Sequence, residues 1–337
     1  MPDPLVIGLV NNMPDAALRS TERQFQRLMR AAIGEGRAVE FRFIALPGLI
    51  RSERGRQHVD AHYEYFRDVP GTRLDGLIVT GTEPSRARLE DEPYWDAFAA
   101  LVDFAQASSL PTLWSCLAAH AAVRCLDGIS RRQRPQKLTG VFECTRAGVH
   151  LVTADLPLAW PVPHSHHNDL DEADLDGAGY RMLSRSEWGG VDMFTRSGDD
   201  LFLFLQGHPE YDPASLLLEY RRDLGRAVAG AQIGPAAMPQ HYLTDAAEQG
   251  LAGAADDRAR SALLQHWGDA AVRSPGWQVP AARLYAGWLH QVAAQGVARM
   301  QRFAGRERRA GVRAAVDYPA RAASITGTSA SGLVVGG

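Results

Sequence analysis

The stretch Thr112-Leu113-Trp114-Ser115-Cys116-Leu117-Ala118-Ala119-His120 decides the fold, because a short apolar strand runs without a spacer into an alanine-rich helix that continues to Leu126. Strands that turn at once into helices are the unit of a parallel sheet covered by helices. The alternation recurs on both sides. Upstream, Leu5 to Val10 reads as a buried strand, and Phe25, Leu28, Met29 and Ile33 recur at helical spacing within Ser20 to Ile33. Val39 to Leu46 alternates in part like a strand, Gly76 to Thr80 is a continuous apolar run, and Trp95, Phe98, Leu101, Val102 and Ala105 share one face of a helix over Tyr94 to Ala107. Downstream, Val141 to Thr145, Tyr180 to Ser184, Asp192 to Arg196 and Leu201 to Gln206 read as strands joined too closely for crossover helices, which points to antiparallel pairing. A helix over about Pro213 to Gly230 follows. The expected class is α/β, with a mostly parallel central sheet flanked by helices.

From Gly234 the pattern turns helical with a glycine and alanine bias, and Ala281 to Phe303 is its best helix. Gly305 to Gly337 is rich in Arg, Ala, Gly and Ser, with few large apolar anchors. The expected organisation is a main domain over 1–233, a helical C-terminal extension over 234–304 packed on it, and a flexible tail over 305–337.

Composition excludes several classes of function. The 337 residues are 45% hydrophobic and 22% charged, with 36 basic against 39 acidic side chains and a formal net charge of -3, so a basic nucleic-acid binder is out. No apolar run approaches the ~20 residues a membrane span needs. Met1-Pro2-Asp3-Pro4 has no basic, long apolar leader, so the cytoplasm is the expected address. Cys116, Cys125 and Cys144 are too few for a disulfide framework and are expected as free thiols. Lys137 is the single lysine among the 36 basic residues.

Cys116 is the first candidate for chemistry. A cysteine between strand and helix stands at the carboxyl end of the sheet and at a helix N-terminus, where dipole and free amides favour the thiolate and could bind an oxyanion from Leu117 onward. A buried structural cysteine is the competing reading, and Cys125 and Cys144 fall in that class. His208 and Glu210 are the second candidate. In extended chain they share a face, which suits a base and the carboxylate that orients it; a surface pair in a loop is the alternative. In His164-Ser165-His166-His167-Asn168-Asp169, adjacent ligands would splay to opposite faces and no second cluster completes a four-coordinate set. No metal is therefore expected, and a polar loop lining a pocket is the reading adopted. No glycine-rich phosphate cradle follows a strand.

Read together, these residues resemble the homoserine O-acyltransferases usually called homoserine O-succinyltransferases, which share a fold with class I glutamine amidotransferases and the flavodoxin-like sheet. The resemblance covers roughly Leu5 to Gln291. It rests on Asn11-Asn12-Met13-Pro14 with Thr21-Glu22-Arg23-Gln24-Phe25, on Gly76 to Gly81 with Tyr94-Trp95, and on Lys137-Leu138-Thr139-Gly140-Val141-Phe142-Glu143. Pro163-His164-Ser165 and Gly207-His208-Pro209-Glu210-Tyr211-Asp212, continuing to Glu219-Tyr220-Arg221-Arg222-Asp223, complete it. It implies Cys116 as acylated nucleophile, His208 as general base and Glu210 as its orienting residue. It also implies Lys137, Ser165, Glu219 and Arg222 in the acceptor pocket, Ser85 on the acyl side, and backbone amides of Leu117, Thr82 and Glu83 around the oxyanion. The chain departs from the family pattern at Leu117-Ala118-Ala119-His120, at Asp15-Ala16-Ala17-Leu18, at His166, and at Thr82-Glu83-Pro84-Ser85.

The implied activity is transfer of an acyl group, succinyl first, from acyl-CoA to the hydroxyl of L-homoserine through a Cys116 thioester, in methionine biosynthesis. Acetyl-CoA as donor, or another hydroxy amino acid such as serine as acceptor, is the same chemistry with a different pocket. An amidotransferase-like hydrolase, and a catalytically reduced binding protein that keeps the fold, are the other readings. The expected partners are small-molecule substrates, with acyl-CoA as co-substrate, no bound cofactor, and no nucleic acid or membrane; the resemblance implies a homodimer as the family's common state.

Overall fold

A computed structural model describes residues 3–34, 38–188, 190–196, 199–231, 236–273 and 276–296. The 305–337 tail and the end of the helix expected to reach Phe303 lie outside the described residues. Residues Met1–Ala294 form one compact unit.

Among the described residues, ten strands form one sheet. They are β1 (Leu5–Val10), β2 (Val39–Ala45), β3 (Glu64–Tyr65), β4 (Gly76–Val79), β5 (Thr112–Ser115), β6 (Arg132–Arg146), β7 (Ala159–Asp169), β8 (Tyr180–Ser186), β9 (Gly190–Arg196) and β10 (Asp199–Leu205), in the order β3-β2-β1-β4-β5-β10-β9-β8-β6-β7. From β3 to β10 every neighbouring pair is parallel. From β10 to β7 every pair is antiparallel, as the short connections predict. The central sheet is thus parallel, and β10 is the seam.

Alternation along the central strands fills two cores. Val6, Val10, Leu77, Val79, Trp114, Phe202 and Phe204 face one way and meet the apolar sides of α3 (Trp95–Ala107) and α4 (Leu117–Asp127). Ile7, Leu9, Ile78, Leu113, Leu203 and Leu205 face the other way, against Phe25, Leu28 and Met29 of α1 (Leu18–Ile33) and Tyr285, Trp288 and Val292 of the last helix, which begins at 278. Each large apolar side chain so buried contributes about 1.5–3 kcal/mol. Between α1 and the last helix the chain forms α2 (Glu53–His62), α5 (Glu172–Gly177), α6 (Ser215–Val228), α7 (Asp245–Ala252) and α8 (Asp257–Trp267). A third core, with Leu216, Tyr220, Leu224, Tyr242, Leu251 and Trp277, joins α6, α7 and α8. Among the described residues no helix is long and apolar enough to cross a membrane.

Two local readings need correction. His164 to Asp169 is not a loop but the end of β7, paired with β6, so side chains alternate: His164 and His166 are buried and His167 is exposed. Residues 207–210 are not extended: β10 stops at Leu205, and Tyr211 N donates to His208 O at 3.1 Å, closing a turn that holds Pro209. Gly207 permits that turn, since a Cβ there would lie 2.4 Å from Val162 Cγ1.

Candidate active site

β5 ends and α4 begins at Cys116, which takes φ 53° and ψ -116°. A non-glycine residue in this region stores about 1–3 kcal/mol of strain. The neighbours enforce it: Cys116 N donates to Leu205 O at 2.7 Å, while Cys116 O accepts from Ala119 N at 2.9 Å. The sulfur therefore stands above the sheet on a sharp elbow, partly exposed, whereas Cys144 is fully buried. All three cysteines are free thiols.

The other half of the pair arrives on the turn after β10. His208 N donates to Pro163 O at 2.8 Å, and the ring stacks on Tyr211 with centroids 4.3 Å apart. Nδ1 lies 2.8 Å from Glu210 Oε1, and the ring hydrogen-bonds the Cys116 side chain. Burial by itself lowers the His208 pKa, but the electrostatic interactions and hydrogen bonds with Cys116 and Glu210 raise it well above the usual histidine range. The structure thus brings Cys116, His208 and Glu210 into one chain of contacts, with His208 in the middle. The reason differs from strand geometry, because the turn, not a shared strand face, aligns His208 with Glu210.

Around the sulfur, Gly81 packs so closely on the start of α4 that a Cβ would lie 2.9 Å from Leu117 N. The following residues, Thr82, Glu83, Pro84 and Ser85, line a cleft of about 330 Å³ together with Asn12, Met13, Arg51, Glu92 and Tyr94. Glu92 shapes that wall: its carboxylate accepts from Ser85 N at 2.6 Å, Ser85 Oγ at 2.8 Å and Arg86 N at 2.7 Å. Asn12 ties β1 to β4 through Thr80, with bonds of 2.9 and 2.8 Å. Arg51 donates to Met13 O at 2.8 Å and meets Asp15 at 3.2 Å. Glu83 pairs with Arg226 of α6 across the cleft edge, and that cation lowers its pKa.

On the other side lies a compact charged cluster. Lys137 of β6, only 10% exposed, sits 2.7 Å from Asp223 and 3.4 Å from Glu219. Glu219 also accepts from Ser165 and Tyr211. Burial would raise the Glu219 pKa, yet the Lys137 charge and the two hydroxyls lower it below the usual carboxylate value. Arg222 does not reach Glu219. It pairs with its neighbour Asp223 at 3.0 Å, which makes Asp223 the bridge between the two cations. Same-face spacing on α6 overlooked Asp223, although it lies four residues from Glu219 on the helix, one turn away. Tyr211, Glu92 and the buried His120 were also missed from sequence. His120 Nε2 stands 2.5 Å from Gln206 Oε1 and so ties α4 to the residue before the Gly207-His208 turn.

Known proteins resemble this chain over most of its length. The family model for homoserine O-succinyltransferase matches residues 2–299. The homoserine O-succinyltransferase of Methylorubrum extorquens is 48% identical over 295 residues, 86% of this chain and 87% of that protein. That of Rhodopseudomonas palustris is 46% identical, covering 86% of this chain and 88% of its own length. Among solved structures, a glutamine amido transferase from Methylobacillus Flagellatus superposes with a TM-score of 0.49 at 16% identity, over 86% of this chain and 95% of that one. With the family model spanning nearly the whole described chain and relatives this close in sequence, the chain belongs to the homoserine O-succinyltransferase family of O-acyltransferases.

Proposed function

We propose that this protein transfers a succinyl group from succinyl-CoA to the hydroxyl of L-homoserine through a thioester on Cys116, the step that activates homoserine for methionine biosynthesis. The observation that carries the reading is the contact of Cys116, on its strained elbow, with a His208 held by Glu210. His208 takes the Cys116 proton, the thiolate attacks the acyl carbonyl, and His208 returns the proton to the departing CoA thiol. It then takes the proton of the acceptor hydroxyl, whose oxygen attacks the thioester and releases Cys116. Backbone amides from Leu117 and the Thr82-Glu83 loop hold the oxyanion in both halves.

The donor fits the cleft beside Thr82 to Ser85, and the acceptor fits the charged cluster. An amino-acid zwitterion needs a cation for its carboxylate and an anion for its ammonium; Arg222 and Lys137 supply the first, Glu219 and Asp223 the second. The acyl-CoA is a co-substrate rather than a resident cofactor, and such substrates place the enzyme in the cytoplasm.

Intact-protein mass spectrometry tests the proposal. Succinyl-CoA should leave a succinyl adduct on Cys116 that homoserine clears and serine does not. An adduct formed only from acetyl-CoA would replace the donor. No adduct from any acyl-CoA would overturn the acyl-enzyme, and glutamine hydrolysis in its place would favour the amidotransferase-like reading.

A further inference from the structure

The histidines of β7 find in the fold the partners that sequence spacing denies them. Cys144 of β6, His164 of β7 and Asp192 of β9 are all buried, and one donor atom of each lies within 4.8 Å of the others. Sγ of Cys144 is 3.8 Å from His164 Nε2, and that nitrogen is 3.4 Å from Asp192 Oδ1. Sulfur, nitrogen and oxygen ligands bound at about 2.0–2.3 Å around a tetrahedral ion stand about 3.2–3.8 Å apart. The two separations around His164 Nε2 match those between ligands of one ion, and the third pair lies within 4.8 Å.

A second observation concerns the proton positions. His166 Nδ1 is 2.9 Å from the Asn168 carbonyl oxygen, which can only accept, so in the neutral ring Nδ1 carries the proton and Nε2 accepts. His164 Nδ1, 3.3 Å from that Nε2, is then the donor. The lone pair of His164 Nε2 is thereby left facing Cys144 and Asp192. A ligating histidine whose other ring nitrogen is fixed by an outer partner is the usual arrangement in metal sites.

We propose that Cys144, His164 and Asp192 form a buried structural site for one divalent cation of the zinc type. A thiolate and a carboxylate cancel the double charge, and the Cys144 thiol gives up its proton as the ion enters. Thiolate and imidazole select zinc, or cobalt as its probe, over magnesium and calcium, which need six or more oxygens. The Ser186 side chain, hydrogen-bonded to Cys144, offers a further oxygen at the same place. The site sits directly behind the catalytic turn. Asp192 accepts from Gly207 N, and Pro163, next to His164, receives the His208 amide. An ion there pins the turn that carries His208 without touching substrate.

The test uses the full chain, stripped with a chelator and titrated with Zn²⁺ or Co²⁺ against a chromophoric competitor. One ion per chain is expected, and cobalt should give a thiolate charge-transfer band with the visible bands of a tetrahedral ion. Cys144→Ser and Asp192→Asn should each weaken Zn²⁺ binding at least ~10-fold, and His166→Phe on the order of 10–100-fold. Cys116→Ser and Cys125→Ser should keep the cobalt band. No ion held by the folded wild type, or a thiolate band that survives Cys144→Ser, overturns the site. A band lost in Cys116→Ser moves the ion to the nucleophile and overturns it equally. Should Cys144→Ser not fold, the wild-type cobalt spectrum decides, since a spectrum without thiolate character excludes Cys144. The readout is the ion rather than acyl transfer, so either result leaves the acyl-enzyme reading to its own experiment.

Discussion

The central strands β1, β4, β5 and β10 are short, mutually parallel and largely apolar on both faces, whereas from β9 to β7 the strands run antiparallel, reach 15 residues in β6, and bury histidine, aspartate, serine and cysteine among the apolar positions. The parallel region carries Cys116, the proposed nucleophile, and, on the turn after β10, His208, its proposed base. The antiparallel region supplies Lys137 and Ser165 to the charged cluster and holds the Cys144, His164 and Asp192 group. Helices cover both faces of the first region, so its strands are driven inside by burial alone. In the second, buried polar side chains find partners, His164 in Cys144 and Asp192, Ser184 in Asp192, and His166 in its own strand at His164 and Asn168.

The largest effects should fall on the parallel side. Cys116→Ala is expected to abolish adduct formation and transfer, a loss on the order of 10³-fold or more, while half-buried Cys125→Ala keeps turnover. His208→Ala should be nearly as severe. Glu210→Gln should be milder, on the order of 10²-fold, because Glu210 acts through the imidazole and moves no proton itself. Intact mass and single-turnover rates measure all four. Full activity in Cys116→Ala would erase the contrast between the two regions.

On the antiparallel side the loss should be selective. Arg222→Ala and Asp223→Asn should leave acylation by the CoA thioester intact and slow clearance of the adduct by homoserine, at a cost of about 2 kcal/mol, modest because the Arg222 side chain is 42% exposed. Lys137→Arg sharpens the point, since a buried site fitted to a compact ammonium should reject the larger guanidinium. Equal damage to both half-reactions would place these residues in folding rather than in acceptor binding.

A pH measurement probes the seam. Burial lowers the His120 pKa to about 4, against the usual 6.5, so the unfolded chain binds more protons between those values. The stability this group contributes is whole above pH 6.5 and is lost as pH falls toward 4, about 3 kcal/mol in all. Urea midpoints at pH 7.5 and pH 5 should converge in His120→Gln relative to wild type, and an unchanged difference would remove His120 as the cause. The smallest effect is expected at the cleft rim. Arg226→Ala breaks a half-exposed pair with Glu83 and should shift unfolding by less than about 1 kcal/mol.

Strands β1, β2, β4, β5 and β10, helices α1, α3, α4 and α6, the strand-to-helix junction at Cys116 and the nearness of His208 to Glu210 were legible in the sequence because they are written in local signals: apolar runs, helical periodicity and the absence of a spacer before Leu117; the polar α2 and the two-residue β3 carry no such signal and were not read. The family motifs led to Lys137, Ser165, Glu219 and Arg222 for the same reason, each lying in a contiguous segment. What the tertiary structure alone decided was partnership over long separations. Cys144 and Asp192 are 48 residues apart, with His164 between them, and meet only because β6, β7 and β9 are brought together in one sheet. Asp223 joins Lys137 to Arg222 only because α6 lies against β6. Hydrogen bonds and ion pairs between distant residues depend on register and packing, which no local period encodes. The sequence therefore determined the fold and the place of Cys116 between strand and helix, and the packed structure decided which polar side chains face one another.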